Sequence, residues 1–224
     1  MKEYSSAEML ARLVSFDTTS WKSNLGLIRF ITDYLESHGI SSRVLYNEEK
    51  TKANIWATLG PENIPGIILS GHTDVVPVAE QNWSHDPFDM IEREGRLFGR
   101  GTCDMKGFIA CVLAAVPELV KADLQEPIYL AFSYDEEVGC TGVMNLITHV
   151  KNMPVRPRAC IVGEPTSMKV VNSHKGIYHS LTRLYGLESH SSTDRGVNTV
   201  LYAAELIHFL NDPAEEMKGR PPAS

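Results

Sequence analysis

Three short apolar runs in this chain each stop at acidic or imidazole side chains, and that pattern restricts the fold more than any other feature. "GIILS" (66–70) is followed by His72 and Asp74, "IYLAFS" (128–133) by Glu136 and Glu137, and "ACIV" (159–162) by Glu164. Short continuous apolar runs bounded by turn residues suit strands buried on both faces. Further strands are expected at 43–46 and 53–59. Helical spacing links Phe108, Cys111, Val112, Ala115 and Leu119 within residues 105–120, and residues 142–150 form another helical stretch. Near the start, Ser5 or Ser6 can cap a helix bearing Met9, Leu10, Leu13 and Val14, and a helix over 24–38 is stopped by Gly39. Alternating strands and helices predict an α/β layer fold with a mostly parallel central sheet. Such sheets bind ligands beyond the carboxyl ends of their strands, where these polar groups lie.

Residues 76–100 read as a long loop carrying Trp83, Pro87, Phe88 and Gly95. Loops of that length without periodicity are often functional. After about Ser173 the pattern changes. "GIYHSLTRLYG" alternates like a half-exposed strand, and "VNTVLYAAELIHFL" is an amphipathic helix. A catalytic domain at 1–173 and the start of an α+β unit at 174–224 follow from this shift. The chain's 224 residues are enough for a real core. A net charge of -7 without any Lys/Arg run argues against nucleic acid as a partner. No stretch approaches a membrane span, and the N-terminus lacks the apolar run of a secretory leader. Cys103, Cys111, Cys140 and Cys160 are scattered without a C-x-x-C pair, which reads as buried reduced thiols in a cytoplasmic protein.

His72, Asp74, Asp104, Glu136, Glu137 and Glu164 offer one histidine with several carboxylates, a plausible ligand set for zinc or a similar divalent ion. Crowded carboxylates raise one another's pKa, and cations compensate for that. So many carboxylates exceed what one catalytic zinc needs, so two ions are expected. Each residue alone has an ordinary alternative. His72 can be a turn histidine, and Asp104 can cap the following helix. Glu136 and Glu137 can favour a helix N-terminus, and Glu164-Pro165 can open a turn.

"SGHTDVVP", "W-x-x-D-P-F", "GRLFGRGTCDMKGFIA", "SYDEEVGCTG" and "GEPTS" occur in the order and spacing of the M20 family of co-catalytic zinc amidohydrolases and peptidases, which the chain resembles from about residue 66 to 200. The resemblance implies a zinc-peptidase-like catalytic domain with a lid and dimerisation domain. It makes His72 and Glu164 ligands of one zinc, Asp104 the bridging carboxylate, and Glu137 a ligand of the second zinc, with Co²⁺ able to substitute. Asp74 matches the aspartate that orients His72 by accepting its other N–H. Glu136 matches the general base that takes a proton from the attacking water. His190, in "SHSS", resembles a second-domain histidine that donates to the oxyanion, sometimes across a homodimer. Lys175 and Arg195 are further candidates for attracting a substrate carboxylate.

Within the family, the stretch from Asn172 to Val200 most resembles the deacetylases acting on N-acetyl-L-ornithine in arginine biosynthesis. The implied reaction is hydrolysis of an N-acyl amino acid in the cytoplasm, by a homodimer in the full-length form. Desuccinylase, aminoacylase and carboxypeptidase activities share the same metal core. Family members are longer and carry a fifth ligand, a histidine, beyond the point where this chain stops. His208 lies in the amphipathic helix and reads as structural. The expectation is therefore a C-terminally truncated enzyme of weak or no activity. A fragment that binds metal or a full-length partner without catalysis is a second reading.

Overall fold

Ser5 is the residue that caps the first helix. Its hydroxyl accepts from the Glu8 backbone N–H at 3.2 Å, and the Glu8 carboxylate accepts from the Ser5 N–H at 2.8 Å. This reciprocal cap starts α1 (Ser6–Val14), which buries Met9, Leu10, Leu13 and Val14 as the periodicity requires. The computed structural model describes residues 3–173, 176 and 179–218. Two compact units result, Met1–Val170 and Val171–Ser224.

In the first unit, α2 (Leu25–Ser37) is followed by β1 (Ser42–Tyr46), β2 (Ala53–Leu59) and β3 (Ile67–His72). A hairpin of β4 (Ile91–Arg93) and β5 (Arg96–Phe98) precedes α3 (Lys106–Lys121), β6 (Ile128–Ser133), α4 (Met144–Lys151) and β7 (Ala159–Val162). The five-stranded sheet has the order β1-β2-β6-β3-β7. β3 lies between β6 and β7 and is parallel to both, whereas β2 is antiparallel to both its neighbours. β2 alone therefore runs against the other four, and the mostly parallel α/β sheet is as the sequence indicates. One face packs on α1, α2 and α3 through Met9, Leu13, Ile31, Leu35, Leu113, Leu130 and Phe132. The other packs Leu146 of α4 against Trp56, Ile68 and Tyr129.

Asn24 does not cap α2. Its amide donates to the Ala53 carbonyl at 2.8 Å, accepts from the Ala53 N–H at 3.0 Å and donates to Thr73 Oγ1 at 3.0 Å. The helix start is thus fastened to β2 and to the segment after β3. Pro117 sits inside α3 without an N–H to give to Leu113. The Leu113 carbonyl accepts instead from the buried Tyr34 hydroxyl of α2, at 3.1 Å.

Three expectations are corrected. The stretch 76–100 is not all loop, because it contains β4 and β5. Glu94 and Gly95 between them both have positive φ, as a tight hairpin turn needs, but three-residue strands are too short to show a period. The alternating "GIYHSLTRLYG" forms no strand among its described residues, Gly176 and 179–186; Ile177 and Tyr178 lie outside them. Alternation makes a strand only where a partner supplies the ladder, and among the described residues the pairing nearby is an isolated bridge between Leu187 and Val197. The third correction concerns the cysteines, which are unpaired but all exposed. Cys111 lies on the outer side of α3, and Cys160 lies on the edge strand β7, whose residues are all exposed.

The second unit contains α5 (Thr199–Lys218), longer than the amphipathic pattern alone. No residue of it is buried, and Val200, Leu201, Ile207, Phe209 and Leu210 are exposed. Among the described residues no helix is long and apolar enough to cross a membrane.

Candidate metal centre

Sheet register delivers the polar groups to one place. His72 ends β3 opposite Ser133 of β6, so Glu136 and Glu137 emerge beside it. Ser70 stands opposite Val162 of β7, which brings Glu164 up on the other side. Gly71 lets α3 approach beneath, since a Cβ there would come within 3.0 Å of Met105 Cε and 3.2 Å of Ile109 Cγ1. Asp104 stands just ahead of α3. It does not cap that helix, whose cap position is Met105 with no side-chain cap bond. Its carboxylate turns to the histidine instead.

His72 is 2 % exposed, and its Nε2 faces carboxylates on three sides. Asp104 Oδ1 lies 3.0 Å away, Glu164 Oε1 3.7 Å and Glu136 Oε2 3.8 Å. Two overlapping groups result, His72–Asp104–Glu164 and His72–Glu136–Glu137, and within each the ligand atoms all lie within 4.8 Å of one another. Burial disfavours the charged imidazole, but the Asp74 and Glu164 carboxylates outweigh it and raise the His72 pKa to about 9. Burial and the nearby Asp104 charge raise Glu137, against the pull of His72. Burial likewise raises Glu164; His72 opposes this, while Asp104 and Glu136 add to it. The cluster thus holds an excess of negative charge around one ring nitrogen. A divalent cation fits that donor set, one imidazole with several carboxylate oxygens.

Asp74 works beneath the cluster. Burial would raise its pKa, but hydrogen bonds involving His72, Ser20 and the Glu136 N–H hold it below the usual carboxylate range. Its carboxylate accepts from Ser20 Oγ at 2.8 Å, the Glu136 N–H at 3.1 Å and the Glu137 N–H at 3.2 Å. His72 Nδ1 is 3.6 Å from that carboxylate and 2.9 Å from the Asp74 backbone carbonyl. The closer acceptor for the histidine is therefore the carbonyl, and the carboxylate is mainly engaged with the Glu136–Glu137 backbone. Cys140 Sγ lies 3.5 Å from Glu136 Oε1.

A sequence profile of peptidase family M20/M25/M40 matches residues 68–223. The chain belongs to that family. Among M20-like relatives, the acetylornithine deacetylase of Proteus mirabilis (strain HI4320) is 36 % identical over 206 residues, covering 91 % of this chain and 52 % of that protein. The acetylornithine deacetylase of Pasteurella multocida (strain Pm70) is 35 % identical over 220 residues, 97 % of this chain and 56 % of that protein. The chain spans about half the length of the curated relatives it matches. Human carnosine dipeptidase 1 aligns with a TM-score of 0.61 at 21 % identity, over 70 % of this chain and 37 % of that one. An M20 family metallo-carboxypeptidase from Sulfolobus solfataricus gives 0.62 at 18 % identity, over 71 % and 37 %. These two likenesses establish a shared fold.

The structure therefore gathers His72, Asp74, Asp104, Glu136, Glu137 and Glu164. His190 belongs to the second unit, exposed, with its Nδ1 2.7 Å from Ser192 Oγ. Arg195 and His208 are exposed there too, and Lys175 lies outside the described residues. Sequence reading missed Ser20, Lys52 and Asp135. Ser20 and Lys52 are single polar residues far from any motif, and Asp135, although it lies within "SYDEEVGCTG", has its partner 83 residues away.

Proposed function

We propose that this chain carries the metal centre of a hydrolase that cleaves the amide bond of an N-acyl amino acid, with N-acetyl-L-ornithine as the first candidate substrate. The observation that carries the reading is the buried His72 Nε2 among three carboxylates. The relatives' names support the substrate class. His72 and Glu164 would hold one divalent ion, zinc or cobalt; Glu137 would hold a second, and Asp104 would bridge them. Bound ions supply Lewis acidity toward water and toward the acyl carbonyl.

The chain's own residues do the rest. Glu136 Oε takes a proton from the attacking water and later gives it to the leaving amine nitrogen. Asp74 holds the Glu136 backbone in place through the amide N–H. The Asp74 carbonyl fixes the His72 ring, so Nε2 points at the ligand position. His190 is the candidate donor to the oxyanion. The assembled protein is read as a cytoplasmic homodimer.

The test is ornithine release from N-acetyl-L-ornithine with added Co²⁺, comparing this chain with Glu136→Ala. Release that the variant abolishes supports the reading. Release unchanged by the variant contradicts the assignment of the base. Faster hydrolysis of N-succinyl-diaminopimelate, read as diaminopimelate formed, would move the acyl specificity to a desuccinylase.

A further inference from the structure

We propose that Ser20 and Lys52 are positioning residues that clamp the Glu136–Glu137 turn from below and so set where the base and the neighbouring ligand point. The proposal rests on the reading of Glu136 and Glu137 as base and ligand. Neither Ser20 nor Lys52 reaches the cluster around His72 Nε2. Ser20 acts through Asp74 and Lys52 through Asp135, the residue before Glu136.

The segment after α1 runs directly under the site. Ser20 N–H donates to the Val75 carbonyl and Val75 N–H to the Thr18 carbonyl, each at 3.2 Å, so residues 18–20 lie alongside 73–75. Ser20, itself 4 % exposed, gives its hydroxyl to Asp74 Oδ2. Asp74 then accepts both the Glu136 and Glu137 N–H groups, one on each carboxylate oxygen. Without the serine, the buried carboxylate loses its one hydroxyl donor and is freer to rotate away from those amides.

Lys52 closes the other side. Its ammonium donates to the Ser20 carbonyl and pairs with Asp135 Oδ1 at 2.5 Å. Both side chains of this pair are largely buried, at 14 % and 16 % exposed, so removing one partner leaves the other charge poorly solvated. Asp135 sits at φ +55°, a left-handed conformation that a non-glycine residue adopts only at a cost. That conformation turns the chain out of β6 and sends Glu136 and Glu137 toward His72. Ser20 is thus the knot of the clamp, with its side chain on Asp74 and its carbonyl on Lys52.

The test uses the whole chain in four forms: wild type, Ser20→Ala, Lys52→Met and Lys52→Arg. Backbone amide exchange is first followed without metal. The clamp predicts that Glu136 and Glu137 amides exchange at least about tenfold faster in Ser20→Ala and Lys52→Met, with Leu130 and Phe132 unchanged and Lys52→Arg restored toward wild type. Co²⁺ affinity, read from its visible absorption, should fall roughly 10- to 100-fold in the same two variants, the usual cost of losing a group that supports a ligand. Unchanged exchange at Glu136 and Glu137, or acceleration spread equally over Leu130 and Phe132, overturns the clamp. Faster exchange at the turn with unaltered Co²⁺ affinity overturns its role in the site. A wild-type chain that binds no Co²⁺ overturns the metal reading itself, a result the exchange data keep separate from failure of the clamp.

Discussion

At the scale of single residues, electrostatics decide more than propensity. Nothing in the spacing of "GHTD" says that His72 Nδ1 meets a carbonyl while Nε2 meets three carboxylates. The sequence did show which strand ends carry ligand-type side chains, because each follows an apolar run. It hid Ser20, Lys52 and Asp135, whose partners lie 54, 83 and 83 residues away in the chain. Asp17, by contrast, is paired locally, with Thr19 and Lys22. Burial would raise its pKa, but Lys22 and Thr19 hold it below the ordinary value. A carboxyl with a depressed folded pKa contributes stability that is present above its unfolded pKa, and that stability is lost as pH falls through the folded value. Urea midpoints measured from pH 6 down to pH 3 should therefore fall more steeply in wild type than in Asp17→Asn. The difference should be no more than about 1 kcal/mol for so partly exposed a pair. Parallel curves would contradict this assignment.

At the scale of elements, periodicity located α1, α2, α3, β2, β6 and β7 within a few residues. It failed where the decisive factor was a partner rather than a pattern. The hairpin of β4 and β5 is too short to carry a period, and among the described residues the alternation after Ser173 has no neighbouring strand. α3 runs through Pro117 as its spacing indicates, and Tyr34 of α2 supplies the Leu113 carbonyl with the donor that Pro117 cannot. Tyr34→Phe leaves the Leu113 carbonyl without that partner and should cost about 1.5 kcal/mol in urea unfolding. An unchanged midpoint would mean that another donor already serves the carbonyl.

At the scale of the whole molecule, His72, Asp104, Glu136, Glu137 and Glu164 all lie in the first unit, brought together by three neighbouring strand ends and the start of α3. The second unit presents α5 with its apolar residues uncovered. Exposed apolar surface of that kind binds hydrophobic dyes. The folded chain should enhance 1-anilinonaphthalene-8-sulfonate fluorescence, and Phe209→Glu with Leu210→Glu should lower it; a signal indifferent to both changes would place the apolar surface elsewhere. The central claim is that one buried imidazole gathers carboxylates around a divalent ion. A Co²⁺ titration of wild type against His72→Ala near neutral pH, followed by visible absorption, tests it most directly. Wild type should bind Co²⁺ saturably and His72→Ala should not; equal binding by the two chains would rule out His72 as the organising ligand.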